Sequence, residues 1–162
     1  KLKLKDLKLE TNLNLENFQI VKNPLNLKTF LPNYAEQIKF KDHKIKIKLI
    51  KGILDIRGDG DIYIGDESEQ LSYSVIKDDG KITFDTNLNI KNNPLIINFL
   101  DYKKKKGNNS EILLKGIYKK NKELILKDIS ITEKNNQILI RKCYPCNFCN
   151  FAKSSIQLKM II

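Results

Sequence analysis

The sequence predicts an all-β chain: an elongated, curled antiparallel meander sheet of nine to eleven strands, forming a groove, with at most one short helix. Three observations predict it. Apolar residues recur at every second position through most of the 162 residues, the spacing that sends alternate side chains to opposite faces of a strand. Clusters of Gly, Asn, Asp and Pro punctuate these runs as turns do. Nowhere does an i, i+3, i+4, i+7 apolar stripe persist for three turns.

Taken in chain order, the alternation begins with Leu2/Leu4, Leu7/Leu9 and Leu13/Leu15, and Asn23-Pro24 then breaks it. Leu31-Pro32 to Lys39 is the best helical stretch, one or two turns with Pro at a suitable first position. Strand spacing resumes at Ile45/Ile47/Leu49, Leu54/Ile56 and Ile62/Ile64, with Gly58 to Gly60 read as a turn between the last two. Phase breaks at Asp6 and Leu49-Ile50 read as bulges or short turns. Leu71/Tyr73/Val75 and the stretch Ile82 to Ile90 flank Asp78-Asp79-Gly80, the strongest hairpin signal in the chain. Asn92-Asn93-Pro94 and Gly107-Asn108-Asn109 are two further turn signals. Ile112/Leu114, Leu124/Leu126, Ile129/Ile131 and Ile138/Ile140 complete the series, with a turn at Asn135-Asn136. Residues 1–140 therefore read as one β region and 141–162 as an irregular, Cys-containing tail.

Composition bounds the function. Thirty basic side chains stand against 19 acidic ones, a net +11 with His43 neutral, and 28 of the basic residues are Lys. With 24 Ile, 21 Leu, 18 Asn and no Trp, the bias is that of an AT-rich coding sequence, so the charge reflects composition as much as design. No run of 18 apolar residues exists to span a membrane as a helix. The opening Lys1-Leu2-Lys3-Leu4-Lys5 lacks a Met and an apolar signal segment, and it alternates like a strand. It reads as a piece cut from a longer protein.

Residues able to carry chemistry are sparse. His43 reads as a solvated histidine at a strand end. No nucleophile elbow, phosphate loop or His-Glu-x-x-His pair occurs, so the expectation is no enzyme and no cofactor. Asp55, Asp59, Gly60, Asp61 and Asp66 fall in a calcium-loop register, but Arg57 stands where an oxygen ligand is needed, and solvated acids are the better reading. Cys143, Cys146 and Cys149 have a spacing that could converge on a metal, but a fourth ligand is missing, so a metal module is a minor alternative. Lys103, Lys104, Lys105 and Lys106 read as a loop run at a hairpin tip, solvated or in contact with anionic lipid headgroups. With Arg scarce and only Tyr102 adjacent, no nucleic acid is expected there.

Between Leu7 and Ile140 the chain runs through Gly52 to Gly60 followed by Ile62-Tyr63-Ile64, Leu71 to Lys77 followed by Ile82 to Leu88, then Leu100 to Lys104, and Glu133 to Ile138. In that order these features resemble the AsmA-like superfamily, in the β-rich C-terminal region of YhdP-type envelope proteins. The resemblance implies a curled β-sheet with an apolar groove, on the periplasmic side of the cell envelope. It also implies an inner-membrane anchor outside this chain, further sheet from the same parent chain, and a part in phospholipid transport and outer-membrane biogenesis. The tail after Ile140 departs from that pattern.

The resemblance meets a physical question that the alternation raises unaided. A sheet with one apolar face must cover it with a second layer, and no amphipathic helix is at hand to do so. Ile82, Phe84, Leu88, Ile90, Ile112 and Leu114 would line a groove in which phospholipid acyl chains supply that layer. The alternative expectation is an extracellular or surface β-sandwich or solenoid interaction module, its apolar face closed by a second sheet of the same chain.

Overall fold

A computed structural model describes residues 7–20, 31–33, 37–98, 101–119, 124–134, 136–143 and 157–161. The chain runs as a meander: β1 (Lys8–Ile20), β2 (Ile38–Ile50), β3 (Ile53–Ile64), β4 (Glu67–Asp78) and β5 (Lys81–Ile90) pair in sequence. A short two-stranded excursion comes next, β6 (Leu95–Ile97) with β7 (Tyr102–Lys104). The main sheet then continues with β8 (Ser110–Lys119), β9 (Leu124–Glu133), β10 (Asn136–Cys143) and β11 (Gln157–Ile161). Nine strands form one open sheet in the order β1-β2-β3-β4-β5-β8-β9-β10-β11, with every adjacent pair antiparallel. It does not close into a barrel.

Tight turns set the register. Lys51-Gly52 and Asp79-Gly80 both have positive φ, 53° and 82° in the first and 39° and 75° in the second. Two consecutive left-handed residues match the twist of the strands they join, which is why Gly takes the second place in each. The Asp79-Gly80 hairpin stands where the sequence placed it. Lys51-Gly52 explains the phase break at Leu49-Ile50.

One row of partners traced across the sheet shows the two faces. Asn12, Lys46, Arg57, Ser74, Asp85, Lys115 and Asp128 stand side by side on one of them. The same face carries ion pairs, Lys46 and Lys48 with Glu10 at 3.2 and 3.0 Å and Lys115 with Asp85 at 2.9 Å. The next row, on the opposite face, reads Leu13, Ile45, Gly58, Tyr73, Thr86, Leu114 and Ile129. Among the described residues the one other sheet, the two-stranded β6–β7, covers that face at one end, unlike the full second layer of the alternative expectation.

The core sits at one end of the sheet. Ile38, Ile62, Ile64, Ile90 and Ile131 gather around Leu95 and Ile97 of β6 and around Leu31. Residues of β3 and β9, with three strands between them in the sheet order, thus meet in one cluster, and the sheet curls around the β6–β7 plug. The short helix expected over 31–39 is not seen in its described part: 32–33 form a turn and Ile38 opens β2, while 34–36 lie outside the described residues. Strand also continues past the boundary drawn at 140, with β10 reaching Cys143 and β11 pairing alongside it.

Polar groups fasten the plug. The Glu69 carboxylate, 3% exposed, accepts hydrogen bonds from the backbone N–H of Lys91, Asn92 and Asn93 and from Asn93 Nδ2, at 2.7 to 3.0 Å. Lys104, 2% exposed, donates from Nζ to the carbonyls of Asn93 at 2.6 Å, Lys105 at 3.2 Å and Lys91 at 3.3 Å. Burial pushes its ammonium below the ordinary lysine value, against the pull of Glu69 and Glu133. Tyr102 shares a hydrogen bond with Ser110 Oγ at 2.8 Å and donates to Glu133 at 2.9 Å.

Burial raises the Tyr102 hydroxyl to about 12; the Ser110 bond pulls it down and Glu133 adds to the rise. A phenol held protonated in the fold loses stabilisation once the unfolded chain ionises first. Thermal melts between pH 9 and 12 are therefore expected to show stability falling from about pH 10 upward. Tyr102→Phe should flatten that slope without abolishing it, because burial and then Asp59 raise Tyr73 in the same direction. An unchanged slope in the variant would contradict the assignment.

Candidate functional site

The open part of the apolar face forms a groove of about 460 Å³. Its walls are Leu15, Phe18 and Ile20 of β1 and Phe40, His43 and Ile45 of β2 on one side. Leu71, Tyr73 and Val75 of β4 with Phe84 and Thr86 of β5 form the other side. No side chain of β3, the strand between them, lines it; Gly58 stands between Ile45 and Tyr73 and Gly60 beside Leu71.

Those glycines shape the floor. An added Cβ on Gly58 would stand 2.4 Å from Tyr73 Cζ, and one on Gly60 would stand 2.4 Å from His43 Nδ1 and 2.7 Å from His43 Cα. On β8, Gly116 would meet Phe84 Cζ at 2.3 Å. Each missing side chain lets a ring from the neighbouring strand lie down over bare backbone, the pairing by which aromatics cover glycines in sheets. The floor is thus a set of reclining rings, with the His43 imidazole 6.0 Å from Tyr73 in a stacked arrangement and 5.1 Å edge-on from Phe40. Phe18 adds a tilted contact to Phe40 at 5.6 Å.

This corrects two readings of the sequence. Gly58 to Gly60 is not a turn: β3 runs unbroken from Ile53 to Ile64, and the glycines serve close packing. His43 is not solvated at a strand end: it is 2% exposed in the middle of β2. A β-bulge puts it there, with Asp42 (φ 50°) and His43 both standing opposite Gly60 where register shifts between Lys41 and Lys44. Among the described residues neither ring nitrogen has a hydrogen-bond partner.

Of the six groove residues read from sequence, Phe84 lines the groove directly. Ile82 and Leu114 share its face, opposite Tyr118 and Thr86 in register. Leu88 and Ile112, cross-strand partners, pack against the core. Ile90 is corrected: it packs in the core cluster with Leu95 and Ile97 under the plug, away from the open groove. The walls from β1 and β2 and the glycine floor were missed. The signal for them was in the sequence, since apolar phase shifts between Phe40 and Ile45 and between Leu15 and Phe18.

The Lys103–Lys106 run does not form a hairpin tip. Lys103 and Lys104 end β7, and Lys104 is turned inward onto carbonyls, so it is no headgroup contact. Lys106 pairs with Glu67, while Lys103 and Lys105 are exposed. Asp55, Asp59 and Asp61 lie along the polar side of β3; Asp55 accepts from Arg57 at 3.1 and 3.2 Å and Asp61 from Gln70. Among the described residues no three His, Cys, Asp or Glu side chains gather as metal ligands. The Cys143 backbone lies in β10, while Cys146 and Cys149 lie outside the described residues. A depression of about 170 Å³ on the polar face is lined by Lys46, Lys48, Asp55 and Arg57; Arg57 pairs with Asp55, and the two lysines share Glu10.

No protein-family model, no curated protein and no solved structure matches this chain.

Proposed function

We propose that the chain is a non-enzymatic segment of an AsmA-like envelope protein, and that its concave apolar face carries phospholipid acyl chains. One observation supports this reading above the others. A nine-stranded sheet presents apolar rows from β1 to β9 with, among the described residues, a plug over one end only, and Leu9, Leu13 and Phe18 are 48%, 41% and 47% exposed. Exposed apolar area on that scale marks a surface that something covers, at roughly 25 cal/mol per Å² buried. An acyl chain fits the lining, which offers few polar atoms and no charged side chain. Further sheet of the same parent chain at the β1 edge and contact with an envelope membrane belong to the same proposal.

The test is lipid extraction followed by mass spectrometry on protein purified from membranes without harsh detergent. Phospholipid in reproducible stoichiometric amount is the expected result. Protein that is reproducibly lipid-free would overturn the reading.

A further inference from the structure

The groove holds one polar side chain whose nitrogens nothing in the described chain satisfies, and we infer that the His43 imidazole donates a hydrogen bond to the ester carbonyl of a phospholipid acyl chain lying in the groove. The inference rests on the acyl-chain reading above and names the contact that would orient the lipid.

Three observations carry it. His43 is 2% exposed and neither Nδ1 nor Nε2 has a hydrogen-bond partner. A neutral imidazole always carries one N–H, so a donor is buried without an acceptor, a condition that costs free energy until one arrives. The burial is built rather than incidental. A bulge with Asp42 in the left-handed region turns the ring inward, and Gly60 leaves the space it occupies. Finally, the ring lines the groove between Phe40 and Tyr73, so the surroundings that would bring an acceptor are apolar.

That combination selects the acceptor's chemistry. A headgroup phosphate would have to shed its water to enter a pocket walled by Leu15, Phe18 and Ile45, with no charged side chain to receive it. An ester carbonyl is uncharged, accepts a hydrogen bond and sits at the head of the methylene chain. Both nitrogens are shielded by their neighbours, so Phe40 or Tyr73 must give way for the carbonyl to reach one while its chain covers the aromatic floor.

The experiment compares two phosphatidylglycerols of equal chain length, one with ester-linked and one with ether-linked oleyl chains, each titrated into the purified chain from mixed micelles. The ether lipid differs by lacking the carbonyl. Wild type is expected to bind the ester lipid about three- to tenfold more tightly, the range of one hydrogen bond. In His43→Phe the ratio of the two affinities should fall to one, whatever happens to the affinities themselves. Equal binding of the two lipids by wild type would overturn the inference and leave the groove reading standing. Binding of neither lipid would overturn both. Should His43→Phe fail to fold, the infrared band of a 13C-labelled ester carbonyl bound to wild type decides. A shift to lower frequency relative to the free lipid in apolar solvent supports the contact, and an unshifted band refutes it.

Discussion

Glu69→Ala is expected to destabilise the chain by about 3–5 kcal/mol, the largest loss from any single polar substitution in it. The carboxylate holds three consecutive backbone N–H groups, those of Lys91, Asn92 and Asn93, together with the Asn93 amide. Removing it strands the two Asn93 donors in a place that water does not reach, since Asn93 is 0% exposed, and leaves those of Lys91 and Asn92 to find water at the edge. It also takes from the buried Lys104 ammonium the stronger of the two carboxylates, Glu69 and Glu133, that favour its ionised form. The loop from Lys91 is what carries the β6–β7 plug, so the same change should uncover Ile90, Leu95 and Ile97. Urea unfolding measures the loss, and hydrogen exchange should show amides of β6 and β7 opening first. A loss below about 1 kcal/mol would mean that the plug is held by its apolar contacts alone.

Gly60→Ala carries the second large effect, about 3 kcal/mol, through overpacking. The new methyl would stand 2.7 Å from the His43 Cα, a backbone atom that cannot swing aside as a side chain can. Gly52→Ala is the control. Its φ of +82° is unfavourable to an L side chain, yet nothing lies within 4 Å, so it should cost only about 1–2 kcal/mol from the turn itself. If the two substitutions proved equal in urea melts, the ring over Gly60 would not be fixed where the structure puts it.

Much of the fold was legible in the sequence because a half-buried strand writes its face into every second residue. Ile82 to Ile90 gave β5 with its faces assigned, and Asp79-Gly80 gave the hairpin before it. The misreadings on β2 and β3 share one cause: glycine and phase shifts look like interruptions of strands. Gly58 and Gly60 suggested a turn, yet within β3 they are the absence of side chains that rings from β2 and β4 require. That requirement is set by residues on other strands and is invisible to a local reading. The bulge at His43 was closer to legible. Apolar positions 38 and 40 give way to 45 and 47, and β1 changes phase at its matching point, between Leu15 and Phe18. The same shift recurs on β9, where Leu126 and Ile129 flank the register change opposite Lys115 and Gly116.

Lys104 shows the limit from another side. Four consecutive lysines look alike in sequence, and only the return of the chain past Lys91 and Asn93 gives one of them three carbonyls to cap. Burial of a lysine follows from tertiary placement, not from local composition.

On the proposed reading the two faces of one sheet have different solvents, water on the Lys-rich side and acyl chain on the other. Photo-crosslinking with a phospholipid bearing a diazirine midway along its acyl chain tests this most directly, because neighbours on β4 and β5 alternate between the faces. Crosslinked peptides should map to Tyr73, Val75, Phe84 and Leu114, while Ser74, Asp85 and Leu113 between and beside them stay unlabelled. Labelling spread evenly over both sets, or none above a water-soluble diazirine control, would contradict it.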